Sequence, residues 1–169
     1  FVVAGGQGSR LGFDGPKGLY PATPIARKPL FRVFAEKIAA VGRRVGHPVP
    51  WYVMTSEAND AATREAFAHD DFFGLDPKQV VFLTQDMLPA LDEEGRVLLS
   101  GPGATFRSPN GHGGSLLALA RSGALEDMRD RGIEQIFYFQ VDNPLVEIAD
   151  PVFLGYHASE NAEMSPKVV

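Results

Sequence analysis

Along this chain, short unbroken apolar runs alternate with segments whose apolar residues recur every three or four positions. Phe1 to Ala4, Trp51 to Thr55 and Val80 to Leu83 are almost wholly apolar and read as strands buried on both faces. Ile136 to Val141, five apolar or aromatic residues and one Gln, is the strongest strand pattern of the chain. Leu30, Phe34, Ile38 and Val41 recur at helical spacing and predict an amphipathic helix over Pro29 to Arg43. Asn59 to Phe67 predicts a second helix, capped from Ser56 to Asn59. Ser115 to Arg131 predicts a third, with Gly123 as its candidate break. Met87 to Leu91, the turn Asp92 to Gly95, and Arg96 to Leu99 predict a small hairpin inserted before that third helix.

Strands separated by helices, with continuous rather than alternating apolar character, predict an α/β fold: a mostly parallel sheet with helices on both faces. Ligands of such sheets bind beyond the carboxyl ends of the strands. The loop after the first strand, Gln85 after the third, and Asp142-Asn143 after the strand at 136–141 all fall there, so they are expected to converge on one crevice.

The first of those loops carries the densest chemistry. Ala4-Gly5-Gly6-Gln7-Gly8-Ser9-Arg10-Leu11-Gly12, followed by Pro16-Lys17, puts four glycines directly after a buried strand. Without side chains, backbone N–H groups can approach anionic oxygens, and Arg10 and Lys17 add fixed positive charge. A P-loop is excluded, because no Gly-Lys-Ser/Thr follows four residues after a glycine. A dinucleotide fingerprint fails at its last position, Leu11, and at the end of the second unit, where Arg27-Lys28 stands in place of an acid. The loop points to a nucleoside triphosphate; the plainer alternative is a glycine-rich turn with two solvated cations.

Charge sharpens this. Residues 1–50 hold eight Lys or Arg against Asp14 and Glu36, +6, so the rest of the chain carries −11 of the net −5. A local cationic end on an acidic protein suits a small anionic ligand better than nucleic acid. With 169 residues and 44% hydrophobic content the chain fits one domain, 1–169. It has no cysteine, which favours a reducing compartment, and no apolar run near the ~20 residues of a membrane span, so a soluble, cytoplasmic protein without a membrane partner is expected. The chain lacks an initial Met, begins within a strand pattern and ends on Lys167-Val168-Val169, which suggests a domain truncated at both ends.

Two further elements carry chemistry. Asp142-Asn143-Pro144 places a carboxylate at the mouth of a buried strand, where it can hold Mg²⁺ or cap the following turn. Ser108-Pro109-Asn110-Gly111-His112-Gly113-Gly114 is a second glycine-rich loop opening a helix, and His112 is its candidate ligand group. Gln85 can read a base edge or be structural. His47, His69 and His157 read as surface or packing residues, and Asp92-Glu93-Glu94 as turn chemistry. No Ser-His-Asp order or histidine cluster supports hydrolysis through a covalent nucleophile.

Taken in order, these motifs resemble the eukaryotic-type UDP-sugar pyrophosphorylases, and most closely their N-acetylglucosamine branch. The resemblance rests on Val3 to Lys17, Pro50 to Ser56, Phe73-Gly74-Leu75, Met87-Leu88-Pro89-Ala90, Arg131-Gly132-Ile133, Val141-Asp142-Asn143 and Ala149 to Phe153, and covers nearly the whole chain. It implies a Rossmann-like nucleotidyltransferase domain of the nucleotide-diphospho-sugar transferase type, acting on UTP and N-acetylglucosamine 1-phosphate as a cytoplasmic monomer. In the sites it implies, Val3, Ala4, Gly5, Gly6 and Gly111 contact the uridine, with Gln85 on the uracil edge. Arg10 and Lys17 hold the triphosphate and are catalytic, Asp142 binds the nucleotide's Mg²⁺, and His112 and Asn143 meet the sugar phosphate. His112 departs from that branch, which usually carries Asn there, while the glucose 1-phosphate branch carries His. Transfer to glucose 1-phosphate or to several sugars is therefore the alternative activity, and a nucleotide-sugar binding module without catalysis is the alternative class. The family's sugar-selecting segment and a further triphosphate lysine are expected beyond Val169.

Overall fold

In the computed structural model, which describes residues 1–168, the elements run β1 (Val2–Val3), α1 (Leu30–Val45), β2 (Trp51–Ser56), α2 (Asp60–His69), β3 (Val80–Gln85), β4 (Met87–Pro89), β5 (Leu99–Gly101), β6 (Ala104–Thr105), β7 (Arg107–Pro109), α3 (Gly113–Arg121), α4 (Ala124–Asp130), β8 (Phe139–Gln140) and α5 (Pro151–Ser159). Val169, the last residue of the expected domain, lies outside the described residues.

Four strands form one sheet in the order β3-β2-β1-β8, and every pairing is parallel. The chain steps outward from β1 to β3, then returns to the other side of β1 with β8. That reversal makes the carboxyl ends of β1 and β8 the switch point, the place where ligands of open parallel sheets bind.

Both faces are covered, because alternate strand residues point to opposite cores. Val2, Ala4, Trp51, Val53 and Phe139 pack under α1 and α2, against Phe31, Phe34, Ile38 and Phe67. Phe1, Tyr52, Met54 and Leu83 pack against Ala118, Leu119, Ala124 and Met128 of α3 and α4. The first core is aromatic: the Phe67 ring lies 5.0 Å from Phe31, 4.9 Å from Phe73 and 5.4 Å from Trp51, in edge-on or tilted geometry. On the second face Tyr52 donates a hydrogen bond to Asp127 of α4. Burial, and then that carboxylate, push the Tyr52 phenol well above its ordinary pKa. The break expected at Gly123 is present: that residue, at φ +78°, separates α3 from α4.

Three expectations need correction. The strand expected at 136–141 is assigned over Phe139–Gln140 only, in register Val2 to Phe139 with β1, although its backbone hydrogen bonds to that segment extend from Phe137 O to Val141 N–H. The insertion is longer than a simple hairpin. Met87–Pro89 pairs antiparallel with Arg107–Pro109, not with residues 96–99; Leu91 bridges Val97, and Leu99–Gly101 pairs with Ala104–Thr105. Helix α2 has Asn59 at its N-cap position, but the side chain caps nothing there. It is buried and turned the other way.

Candidate active site

The loop after β1 folds back on itself. The Gly8 N–H donates to Gly15 O at 2.8 Å and Lys17 N–H to Gly6 O at 3.1 Å, so Lys17 returns beneath the glycines. Three glycines here answer to contacts. A Cβ at Gly5 would lie 2.2 Å from Gln85 Nε2, one at Gly8 would lie 2.7 Å from the Phe13 ring, and one at Gly18 would lie 2.1 Å from the Phe31 ring. Gly12 answers to conformation, at φ +65°. Gly6 answers to neither, and a Cβ there would meet only Lys17 Cε and Nζ, at 3.8 Å.

The structure brings five of the expected site residues together. Gln85, at the end of β3, packs on Gly5, which follows Ala4 at the end of β1. Lys17 lies beside Gly6, and its ammonium, on a side chain only 10% exposed, pairs with both Asp142 oxygens at 2.9 and 3.1 Å. Asp142 itself is 46% exposed. Gln85 is 5% exposed, and its Oε1 is buried without a hydrogen-bond partner among the described residues. It also lines an open polar recess with Glu57, Asp60, Thr84 and Arg107. An apolar recess lined by Phe1, Val49, Phe137 and Leu154 lies at the opposite end of the strands and carries none of this chemistry.

The other candidates stand apart. Val3 and Ala4 spend their backbone groups on the sheet: Val3 O accepts from Val141 N–H, and Ala4 N–H donates to Met54 O. Arg10 is exposed and has no carboxylate within ion-pair distance among the described residues. Gly111 is exposed at φ +69°. His112, also exposed, shares a hydrogen bond between its Nδ1 and the Tyr138 hydroxyl of the chain entering β8. Asn143 is exposed in a turn closed by its N–H to Gln140 O. His69 pairs with Asp70 on the surface, and Asp92 and Glu94 are occupied by Arg96, as turn residues are.

Sequence reading missed Ser56 and Asn59, read only as helix-capping residues. Ser56 Oγ donates to Gly5 O at 2.7 Å, and Asn59 Nδ2 to Ala4 O at 2.9 Å and Gly6 O at 3.2 Å. The available signal was position: Ser56 ends the strand beside the one that feeds the glycine loop. Next to them, burial pushes the Asp60 carboxyl upward, but hydrogen bonds from Arg64 and Thr55 outweigh it and hold the group below its ordinary value.

For a divalent cation the residues offer one carboxylate. Mg²⁺ is commonly held by one or two carboxylates, with phosphate oxygens and water completing the octahedron, so Asp142 at the crevice mouth fits a metal carried in on a nucleotide. Among the described residues no three His, Cys, Asp or Glu converge as an all-protein metal cage would require. No helix of the described residues is long and apolar enough to cross a membrane.

Residues 1–169 match the family described as UTP–glucose-1-phosphate uridylyltransferase. The chain is 42% identical over 174 residues to the human UDP-N-acetylhexosamine pyrophosphorylase-like protein 1, covering 99% of this chain and 34% of that protein. It is 39% identical over 172 residues to the Saccharomyces cerevisiae UDP-N-acetylglucosamine pyrophosphorylase, covering 99% of this chain and 36% of that one. The fold superimposes with a TM-score of 0.83 and 35% identity on the crystal structure of the Trypanosoma brucei uridine diphosphate N-acetylglucosamine pyrophosphorylase in complex with inhibitor, covering 95% of this chain and 35% of that one. The chain thus spans about a third of the length of these relatives. A match along all 169 residues, on a parallel sheet whose switch point gathers the glycine loop, Lys17 and Asp142, shows that the chain belongs to the UTP–glucose-1-phosphate uridylyltransferase family.

Proposed function

We propose that the protein carrying this chain is a uridylyltransferase that makes UDP-N-acetylglucosamine and pyrophosphate from UTP and N-acetylglucosamine 1-phosphate. The observation that carries this reading is the buried Oε1 of Gln85, without a hydrogen-bond partner among the described residues, on a side chain whose amide nitrogen packs against Gly5. A buried acceptor without a donor is costly, and the N3–H of a uracil ring supplies one, whereas cytosine presents a lone pair at that position. The names of the relatives support N-acetylglucosamine as the sugar.

A sugar 1-phosphate, with a second pKa near ~6, is already a dianion at neutral pH, so its oxygen attacks the α-phosphorus of UTP without a general base. The new oxygen–phosphorus bond forms as the bond to the β-phosphate oxygen breaks, and pyrophosphate leaves with that electron pair. The protein's work is to bring two polyanions together, align them and stabilise the leaving charge. Lys17 lies under the glycine loop, where its ammonium can hold phosphate oxygens. Arg10, without a carboxylate partner among the described residues, is available for the β- and γ-phosphates. Asp142 would hold Mg²⁺, which when bound neutralises phosphate charge; Lys17 occupies that carboxylate in the free protein and must shift toward the phosphates when nucleotide enters. His112 and Asn143, exposed at the rim, are the groups left to meet the sugar phosphate. Cytoplasmic, monomeric action without a nucleic acid or membrane partner accompanies this reading.

The test is pyrophosphate release by the intact protein with Mg²⁺, N-acetylglucosamine 1-phosphate and either UTP or CTP. UTP is the expected substrate, and Gln85→Leu is expected to reduce the preference over CTP at least tenfold. Tight UDP-sugar binding without pyrophosphate release would overturn the enzymatic reading in favour of a binding module. His112 favours a second reading, transfer to glucose 1-phosphate or to several sugars, and a panel of sugar 1-phosphates in the same assay separates the two.

A further inference from the structure

We infer that Asn59 and Ser56 are positioning residues for phosphate binding: they turn the peptide planes of the glycine loop so that its N–H groups face the crevice. The inference rests on the uridylyltransferase reading and names the device that builds its phosphate cradle.

Three consecutive carbonyls accept hydrogen bonds from one side. Ala4 O and Gly6 O accept from the two protons of the Asn59 amide, at 2.9 and 3.2 Å, and Gly5 O accepts from Ser56 Oγ at 2.7 Å. A trans peptide holds its C=O and the following N–H in one plane and pointing in opposite directions. Fixing the carbonyls of Ala4, Gly5 and Gly6 toward the 56–59 turn therefore aims the N–H groups of Gly5, Gly6 and Gln7 away from it. Those three N–H groups donate to no backbone acceptor among the described residues. Successive N–H groups aimed to one side, with Lys17 Nζ beside them, form an anion-binding concavity.

The clip is itself rigid. Asn59 is 1% exposed and Ser56 is fully buried. Asn59 Oδ1 accepts from Ser56 N–H at 2.9 Å, which fixes the amide's orientation, since only its nitrogen can then donate to the two carbonyls. Asn59 N–H donates to Ser56 O at 3.0 Å and closes the turn, and Gln7 Nε2 reaches Ala58 O at 3.2 Å. Two buried side chains thus set the direction of three backbone N–H groups.

The experiment is calorimetric titration of the intact protein with UTP and with uridine, both with Mg²⁺. Asn59→Asp keeps the acceptor for Ser56 N–H but sets a carboxylate oxygen against two carbonyls. It is expected to weaken UTP binding about 30-fold while leaving uridine within about twofold. Ser56→Ala, which removes one donor, is expected to weaken UTP about fivefold with the same selectivity, and it decides the matter should Asn59→Asp fail to fold. Variants that melt earlier yet keep the wild-type ratio of UTP to uridine affinity would overturn the positioning role and leave a structural one. A wild-type protein that binds neither compound would overturn the uridylyltransferase reading itself, an outcome distinct from either.

Discussion

The two glycine-rich loops look alike in sequence and are held in opposite ways. The loop of residues 5–18 is fastened from outside, by the buried side chains of Ser56 and Asn59, and its glycines yield space to Gln85, Phe13 and Phe31. The loop of residues 108–114 is held mainly by its own backbone, through β7 and through Ser115, whose N–H and Oγ donate to His112 O at 3.1 and 2.6 Å. Among the described residues its one long-range side-chain hydrogen bond is the exposed His112–Tyr138 bond. A loop that must aim N–H groups at a polyanion needs its carbonyls anchored. A loop that presents a ring and a few exposed groups needs only a stable helix start.

The strongest way to sharpen that contrast is Arg10→Ala, which removes charge from the first loop without touching its anchors. Turnover in the pyrophosphate-release assay is expected to fall on the order of 100-fold, with uridine affinity within about twofold. Unchanged turnover would remove Arg10 from the chemistry. The next is steric. In Gly18→Ala the new methyl meets the ring of fully buried Phe31, and about 2 kcal/mol of stability, roughly 6 °C in Tm, is expected to go. Gly113→Ala, with nothing within 4 Å of its Cβ, is expected to cost none. Equal losses in calorimetric melting would break the comparison.

The layers were readable from sequence because they rest on periodicity: Leu30, Phe34 and Ile38 are buried on α1 as their spacing requires, and all six residues of β2 are buried. The Gly123 break was readable because glycine tolerates positive φ. The pattern from Ile136 to Val141 reads longer than the Phe139–Gln140 assigned as strand, because apolar content carries no record of pairing, and Ile136 and Tyr138 are exposed. The partners of Met87–Pro89 were missed because the turn at Asp92 to Gly95 is so plain that the longer return, through Arg107, is hidden behind it. Of the candidate site, the residues that lie together, Gly5, Gly6, Lys17, Gln85 and Asp142, each carry a signature of their own in the sequence. Asn59 was read as a cap because its partners, Ala4 and Gly6, are more than fifty residues away, and spacing carries no record of such contacts.

Acid tests the anchors of the first loop. Asp60 accepts from Thr55 at 2.5 Å and pairs with Arg64 at 2.7 Å, next to the clip. Its folded-state pKa is depressed, so its contribution is present above the unfolded value of ~3.9 and is lost as pH falls through the folded one. Urea denaturation is expected to find Asp60→Asn about 1 kcal/mol less stable than wild type at pH 7, a modest figure because a quarter of the side chain is exposed, with the gap closing toward pH 2. A gap unchanged with pH would assign Asp60 a role of shape rather than charge.

The smallest effect belongs to the second loop. Tyr138→Phe removes the hydroxyl that His112 Nδ1 engages and keeps the ring, which packs edge-on against Phe1 at 5.5 Å. An exposed hydrogen bond contributes about 1 kcal/mol at most, so KM for the sugar 1-phosphate is expected to rise two- to fivefold, with kcat and UTP affinity unchanged. That outcome follows if the bond only narrows the orientations of a ring that the helix start already holds in place. A loss of tens-fold would mean that the second loop depends on its long-range side-chain tie as heavily as the first depends on Asn59, and the two loops would then differ in the number of their anchors, not in kind.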